Sequence, residues 1–252
     1  MKIGEKILRV ESCSSTNDIA RELAIGGEDE GTVVISKEQT KGKGRKGREW
    51  FSGRKKGLYI SVILRPSKDD ISLLPLLAGL AVRDAVFNSV GILVRLKWPN
   101  DIIWNKRKLG GILCESSFLG NKLNYVILGI GLNTNHLKED FPGDIRLFSV
   151  SLKMIFKKEI DEEALLEELW KALDCWYSIF SQGDERKIVH MFQEHSVIPL
   201  GKEVTVIMED GHTSGVYRGI DSRGSLILER KGKKRNFCAA EIETIKGMIK
   251  ED

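Results

Sequence analysis

The stretch from Lys37 to Lys56 constrains this chain more than any other. It sets nine Lys/Arg against two Glu within twenty residues, a local charge of +7 in a protein whose total is only +4. Glycines at 42, 44 and 47 let the backbone turn sharply and approach a ligand closely. No helical pattern follows Gly47, and the Gly-Lys-Ser/Thr ending of a P-loop is missing. The segment is therefore a long loop between a β-branched strand at 32–35 and an apolar strand at 58–64. Loops of that length inside a folded domain usually carry function. Charge this concentrated points to a local anionic ligand, not to a generally basic surface that coats nucleic acid.

The rest of the chain supplies the scaffold. Its 252 residues, 41% hydrophobic, suffice for a core without staples. Ile7–Val10 reads as a strand, and Asn17–Ile25 as a helix capped by Ser15 or Thr16 and ended at Gly26-Gly27. Ser72 caps a helix through Leu73–Phe87. Val94–Lys97, Asp101–Trp104, Leu109–Ser116 and Leu123–Ile130 read as strands, with a hairpin turn over Asn105–Lys108. Gly129-Ile130-Gly131 then opens a polar loop through Asn135. Asp161 starts an amphipathic helix carrying Leu165, Leu169, Leu173, Trp176 and Phe180, stopped at Gly183, and a second helix covers Glu185–His195. After Pro199-Leu200-Gly201 the texture changes to short strands at Glu203–Met208, Thr213–Ile220, Ser225–Glu229 and Arg235–Ala239. Glu209-Asp210-Gly211 and Ser222-Arg223-Gly224 are hairpin turns between them. The expected architecture is α+β: a mixed sheet with helices on one face over 1–197, then a small all-β barrel over 198–252.

Several classes drop out. No run of about 18 apolar residues exists, and the N-terminus lacks the apolar core of a signal peptide, so a cytoplasmic protein with no membrane contact is expected. Cys13, Cys114, Cys175 and Cys238 lie far apart, and His136, His190, His195 and His212 add no ligand spacing. Neither structural zinc nor a disulfide scaffold is expected. Cys114, in an apolar run, reads as a small buried hydrophobe.

Three further segments join the basic loop as candidates for chemistry. In Lys97-Trp98-Pro99-Asn100-Asp101, the proline at a strand start fixes the backbone and aims Asn100 and Asp101 to one side of the sheet. A lone carboxylate there suits a magnesium ion only if substrate phosphates complete its shell; an ordinary Asx turn is the plainer reading. In Lys108-Leu109-Gly110-Gly111-Ile112-Leu113, paired glycines inside a strand suggest close approach by a ligand. Ser14-Ser15-Thr16-Asn17 sits at a strand-to-helix junction, where capping and ligand hydrogen bonding are compatible.

In combination and order these motifs resemble the biotin protein ligases, the biotin–[acetyl-CoA-carboxylase] ligases. The resemblance rests on Ser15-Thr16-Asn17, the Gly42 to Trp50 loop, Lys97 to Asp101, Lys108 to Leu113 and Gly129 to Asn133, followed by the small β unit. It implies a mixed-sheet catalytic domain of the biotin/lipoate ligase type and a two-step reaction. Biotin attacks the α-phosphate of ATP to give biotinyl-5′-AMP and pyrophosphate; a lysine of the biotin-carrier domain of acetyl-CoA carboxylase, or a related carboxylase, then takes the biotinyl group. Joining two anions requires cations that neutralise charge as phosphorus becomes pentavalent, for which Arg45, Arg48, Lys97 and Lys108 are the suppliers.

The resemblance further implies that Ser15, Thr16, Asn17 and Gln39 contact biotin, with Gly42, Lys43, Gly44 and Arg45 in the loop that folds over it. Gly111 lets strand backbone lie against the ring. Lys108 and Arg45 are the catalytic candidates, and Lys108 meets both the biotin carboxylate and the α-phosphate. Arg48, Lys97, Asn100, Asn133 and Ser151 serve ATP, and Asp101 serves magnesium. Lys43 departs from the usual Arg or His of the family. The Ser-Thr-Asn segment arrives by residue 15, leaving no room for an N-terminal DNA-binding domain, so no operator binding is expected. Apolar strands of the central sheet offer an edge for a homodimer. Two alternatives stand beside this reading: a lipoate–protein ligase, and a nucleic-acid-binding module using Trp50 and Phe51 to stack bases. Salt separates the second, since counterion-release binding collapses with salt and pocket-bound biotin does not.

Overall fold

The computed structural model describes residues 2–208, 211–238 and 241–243. The β-branched and apolar runs form one seven-stranded sheet: β1 (Ile7–Val10), β2 (Val33–Ser36), β3 (Gly57–Leu64), β4 (Arg95–Lys97), β5 (Asp101–Trp104), β6 (Arg107–Leu119) and β7 (Lys122–Asn133). Its order is β1-β2-β3-β7-β6-β5-β4. The β1–β2 pair is parallel and the others are antiparallel. Asn105 and Lys106, both at positive φ, form the two-residue turn between β5 and β6. The expected four-residue turn is thus shorter, and Lys108 belongs to a strand.

Helices cover both faces of this sheet, which corrects the expectation of a single covered face. Val34 and Ile63 pack with Ala20 and Ala24 of α1 (Thr16–Ile25). Their neighbours Val33, Ile35, Val62 and Leu64 join the core on the opposite side. That side is covered by α2 (Leu74–Val90), which packs against the sheet and against two later helices, α4 (Glu162–Ser181) and α5 (Glu185–Glu194). The cause is visible in the strands: β2 and β3 are buried at every position, and such continuous apolar runs must be sheltered on both sides. Asp161 caps α4 through Glu163 and Ala164 N–H. Leu73, not Ser72, occupies the α2 N-cap, without a side-chain bond. A short α3 (Leu152–Phe156), which the periodicity did not predict, is capped by Ser151.

Gly129-Ile130-Gly131 is also not the start of a loop. It lies within β7, with Gly131 opposite Gly111 and Gly129 opposite Leu113 of β6. The C-terminal sheet comprises β8 (Glu203–Met208), β9 (Gly211–Ile220), β10 (Leu226–Arg230), β11 (Lys233–Phe237) and β12 (Glu241–Glu243), in the order β11-β10-β9-β8-β12 and wholly antiparallel. Glu209, Asp210 and Ala239 of the expected turn and strand lie outside the described residues. Val204, Val206, Tyr217, Leu226, Leu228 and Phe237 are buried and continuous with the main core. Trp98, 2% exposed, donates its indole N–H to the Gly224 carbonyl at 2.8 Å, and the Ile220 N–H reaches Gln193 Oε1 at 2.7 Å. No helix among the described residues is long and apolar enough to cross a membrane.

Candidate active site

The basic loop, the start of α1 and the middle of β6 and β7 enclose a cavity of about 360 Å³. Its floor is polar. Ser15 holds the N-cap position of α1, but its hydroxyl makes no capping bond, so the expected cap is positional only. The Thr16 N–H donates to Gln39 Oε1 at 2.8 Å, and Gln39 Nε2 donates to Ser52 Oγ at 2.8 Å. Asn17 Oδ1 accepts from the Ser61 hydroxyl at 2.5 Å. Gly129 makes room for this amide, since a Cβ there would stand 2.5 Å from Asn17 Oδ1.

One wall is the Trp50 ring, laid against β7 where Gly131 has no side chain; a Cβ at 131 would sit 2.6 Å from the indole. Lys108 Nζ lies 5.5 Å from the Trp50 ring centre and 2.6 Å from Asp101 Oδ1. Asn100 Oδ1 accepts from Arg45 at 3.2 Å while its Nδ2 donates to the Ile112 carbonyl at 2.7 Å. The basic loop is braced from within: the Gly44 N–H donates to Arg48 O at 2.7 Å and the Trp50 N–H to Gly42 O at 2.9 Å. The described residues form no group of three metal-ligating side chains. Asp101 offers one carboxylate, already paired with Lys108, which fits a magnesium ion carried in on phosphates and not a resident metal centre.

The far end is aromatic: Phe51, Phe141 and Phe148, beside Asn133. Asn133 is buried and donates to the Val150 carbonyl at 3.2 Å. Behind this wall His136 is wholly buried, stacked on Phe141 at 4.9 Å, with neither ring nitrogen hydrogen-bonded. Burial lowers its pKa to about 4, outweighing the nearby Asp140 carboxylate. Between the ordinary 6.5 and 4 only the unfolded chain binds this proton, so stability falls as the pH falls. The expected loss from pH 8 to pH 5 is about 2 kcal/mol from this group. Urea unfolding at both pH values should show a flatter profile for His136→Phe; equal slopes would mean the imidazole titrates normally.

Fourteen of the sixteen residues singled out from the sequence line this one cavity. Gly42 lies behind it, in the loop, where a Cβ would meet Trp50 O at 2.4 Å. Ser151 lies beneath it, donating to the His136 carbonyl at 2.6 Å and accepting from Met154 N–H. Sequence reasoning passed over Phe141, Phe148, Ser149 and the wall-forming roles of Trp50, Gly129 and Gly131. The glycines are visible in Gly-Ile-Gly, but in sequence they read as the opening of a polar loop. Cys114, expected as a buried small hydrophobe, is only partly buried against the core, and desolvation pushes its thiol up to about 12, which leaves it protonated at neutral pH.

The model of the Biotin/lipoate A/B protein ligase family matches residues 10–133, and that of the Biotin protein ligase C terminal domain matches residues 200–245. The bifunctional ligase/repressor BirA of Bacillus subtilis is 32% identical over 96% of this chain and 74% of its own length. The biotin–[acetyl-CoA-carboxylase] ligase of Paracoccus denitrificans is 31% identical over 90% of this chain and 96% of its own. Among solved structures, the biotin protein ligase from Aquifex aeolicus in complex with biotin and ATP superposes with a TM-score of 0.83 at 27% identity. That match covers 95% of this chain and 98% of the other. With the two family models, these relatives and the fold in agreement, the protein belongs to the biotin protein ligase family.

Proposed function

We propose that this chain is an ATP-dependent biotin–protein ligase acting on the biotin-carrier domain of acetyl-CoA carboxylase or a related carboxylase. The observation that carries the reading is the composition of one cavity: a polar floor, a cationic middle and an aromatic end. Ser15, Thr16, Asn17 and Gln39 offer donors and acceptors to a ureido ring, which a dithiolane ring could not use; this favours biotin over lipoate. Gly111 and Trp50 flank that ring. The biotin carboxylate is then directed at the cations.

In the first step a carboxylate oxygen attacks the α-phosphorus and pyrophosphate leaves. Lys108 and Arg45 stabilise the charge that builds on the phosphoryl oxygens, with Arg48 and Lys97 on the departing phosphates. Asn100 holds Arg45, and Asn133 faces the adenine at the aromatic end. Ser151 serves the nucleotide indirectly, by fixing the backbone under His136. Asp101 would hold a magnesium ion bound together with the phosphates, and such an ion would supply charge neutralisation there. In the second step the acceptor lysine amine attacks the anhydride carbonyl, AMP leaves, and the amine proton passes to solvent. Lys43, Gly44 and Arg45 cover the anhydride in between and keep water out, with Gly42 supporting the turn from behind.

Of the loop cations, Lys43, Arg45 and Arg48 line the cavity, which supports a small anionic ligand as the target of these three. We assign 1–197 to the catalytic unit, 198–252 to the smaller one, the cytoplasm as the compartment, and a homodimer through a sheet edge. Pyrophosphate release from MgATP with biotin, with lipoate and with neither tests the reading. Release with biotin is expected; release with lipoate alone moves the protein to the sister activity, and release with neither sinks both. Arg45→Gly is expected to free the adenylate early, raising labelling of bystander albumin lysines more than tenfold on the scale of one lost charged contact. A variant as selective as the parent would remove Arg45 from the retaining loop.

A further inference from the structure

Asn17, at the cavity floor, is held by more than Ser61. Its Nδ2 donates to Glu115 Oε2 at 2.6 Å, and the other oxygen of Glu115 accepts from Arg21 at 2.8 Å. The second arm of Arg21 reaches Asp18 Oδ1 at 2.9 Å, and the same oxygen pairs with Lys43 of the basic loop. Partial burial, which would raise the Asp18 pKa, is outweighed by the hydrogen bond and charge of Lys43 and by the charge of Arg21, so its carboxyl lies below the ordinary range. None of the five motifs contains Glu115, Arg21 or Asp18.

The chemistry of this chain of contacts is directional. An ionised carboxylate only accepts, so Glu115 can face only the NH2 end of the Asn17 amide. The Ser61 hydroxyl then meets Oδ1, and one N–H and one lone pair of Asn17 remain for a ligand. Turned over, an amide of the same shape would offer the opposite pattern. Arg21 in turn requires both carboxylates to stay where they are, and Asp18 ties that arrangement to Lys43.

We propose that Glu115 is a positioning residue which, through Arg21 and Asp18, fixes the orientation of the Asn17 amide toward the ureido ring and couples it to the placement of Lys43 in the loop. This rests on the biotin-ligase reading above. Ring recognition and loop placement are thereby set by one set of charges, and Lys43, where this chain departs from the usual Arg or His, has a local partner in Asp18.

The test is steady-state pyrophosphate release by the full chain, titrating biotin and ATP separately. Glu115→Gln keeps the size but turns one acceptor into a donor that faces Asn17 or Arg21. It is expected to raise the KM for biotin about tenfold, the scale of one misplaced hydrogen bond to a charged group, with the KM for ATP within about twofold. Glu115→Asp, which keeps the charge, should recover part of the loss. Lys43→Met combined with Glu115→Gln should raise the biotin KM by less than the product of the two single effects. An unchanged biotin KM in Glu115→Gln, or biotin and ATP KM raised alike, overturns the positioning role; a multiplicative double variant overturns the coupling to Lys43. Failure of the parent protein to release pyrophosphate with biotin is a separate result, read before any variant, and it removes the biotin reading itself.

Discussion

Lys108→Ala is expected to slow biotinyl-adenylate formation about a thousandfold, the upper range for removing one preorganised donor from a developing anion. The Lys108 ammonium is fixed between Asp101 at 2.6 Å and the face of Trp50 at 5.5 Å, so it is aimed before the substrate arrives. Its charge matters most when the α-phosphoryl oxygens gain charge, which is a property of the transition state and not of bound biotin. Biotin affinity should therefore change by less than about tenfold, because on the proposed reading the polar floor, and not Lys108, holds the ring. Lys108→Arg should restore only part of the rate, since a planar guanidinium does not place a compact charge at the same point. Rapid-quench measurement of adenylate formation, with equilibrium dialysis of biotin, separates the two effects. An unchanged adenylation rate would remove Lys108 from the chemistry.

Trp98→Ala is expected to cost about 3–5 kcal/mol of folding stability, the range for emptying a large buried aromatic site. Trp98 is among the largest fully enclosed side chains, and its indole N–H is bonded to the Gly224 carbonyl at 2.8 Å. Truncation opens a void between the two sheets and leaves that carbonyl without its donor. For a chain of this length the midpoint of thermal unfolding should fall by about 10 °C. Trp98→Phe, which keeps most of the packing and loses the hydrogen bond, should cost about 1–2 kcal/mol. Urea titration of both variants checks the pair. A loss under 1 kcal/mol for the alanine would mean that the sheets do not lean on this residue.

Much of the cavity was legible because its parts are short, local and unusual in composition. The glycine-interrupted basic loop is conspicuous by its charge, whereas Lys97–Asp101 alone reads as an Asx turn and gains its meaning from the order of motifs that carries the family resemblance. Gly129 and Gly131 lack such a cue, because their reason lies across the sheet: the Asn17 amide and the Trp50 ring occupy the space their side chains would fill. Ser15 was read as a cap from its position, yet its hydroxyl does not bond the helix, a difference only coordinates reveal. The covering of both sheet faces is written in Val33-Val34-Ile35, all buried, but the run reads in sequence only as a β-branched strand, with helices expected on one face. Glu115 and His136 carry no local signature at all. One is defined by the donors it meets, the other by two aromatic rings brought from separate segments.

Gly224 carries a consequence for chimeras. It sits at φ +77°, with a would-be Cβ 3.0 Å from Leu73 Cδ2, while its carbonyl receives the Trp98 indole. A grafted C-terminal module can vary in most of its surface and still seat itself here. It must, however, bring a residue at this turn that accepts left-handed backbone and no side chain. Exchange of modules between related ligases is thus gated by one glycine seated against Trp98, a residue that also lines the cavity, and a graft lacking it would assemble with its seam open beside the catalytic strands.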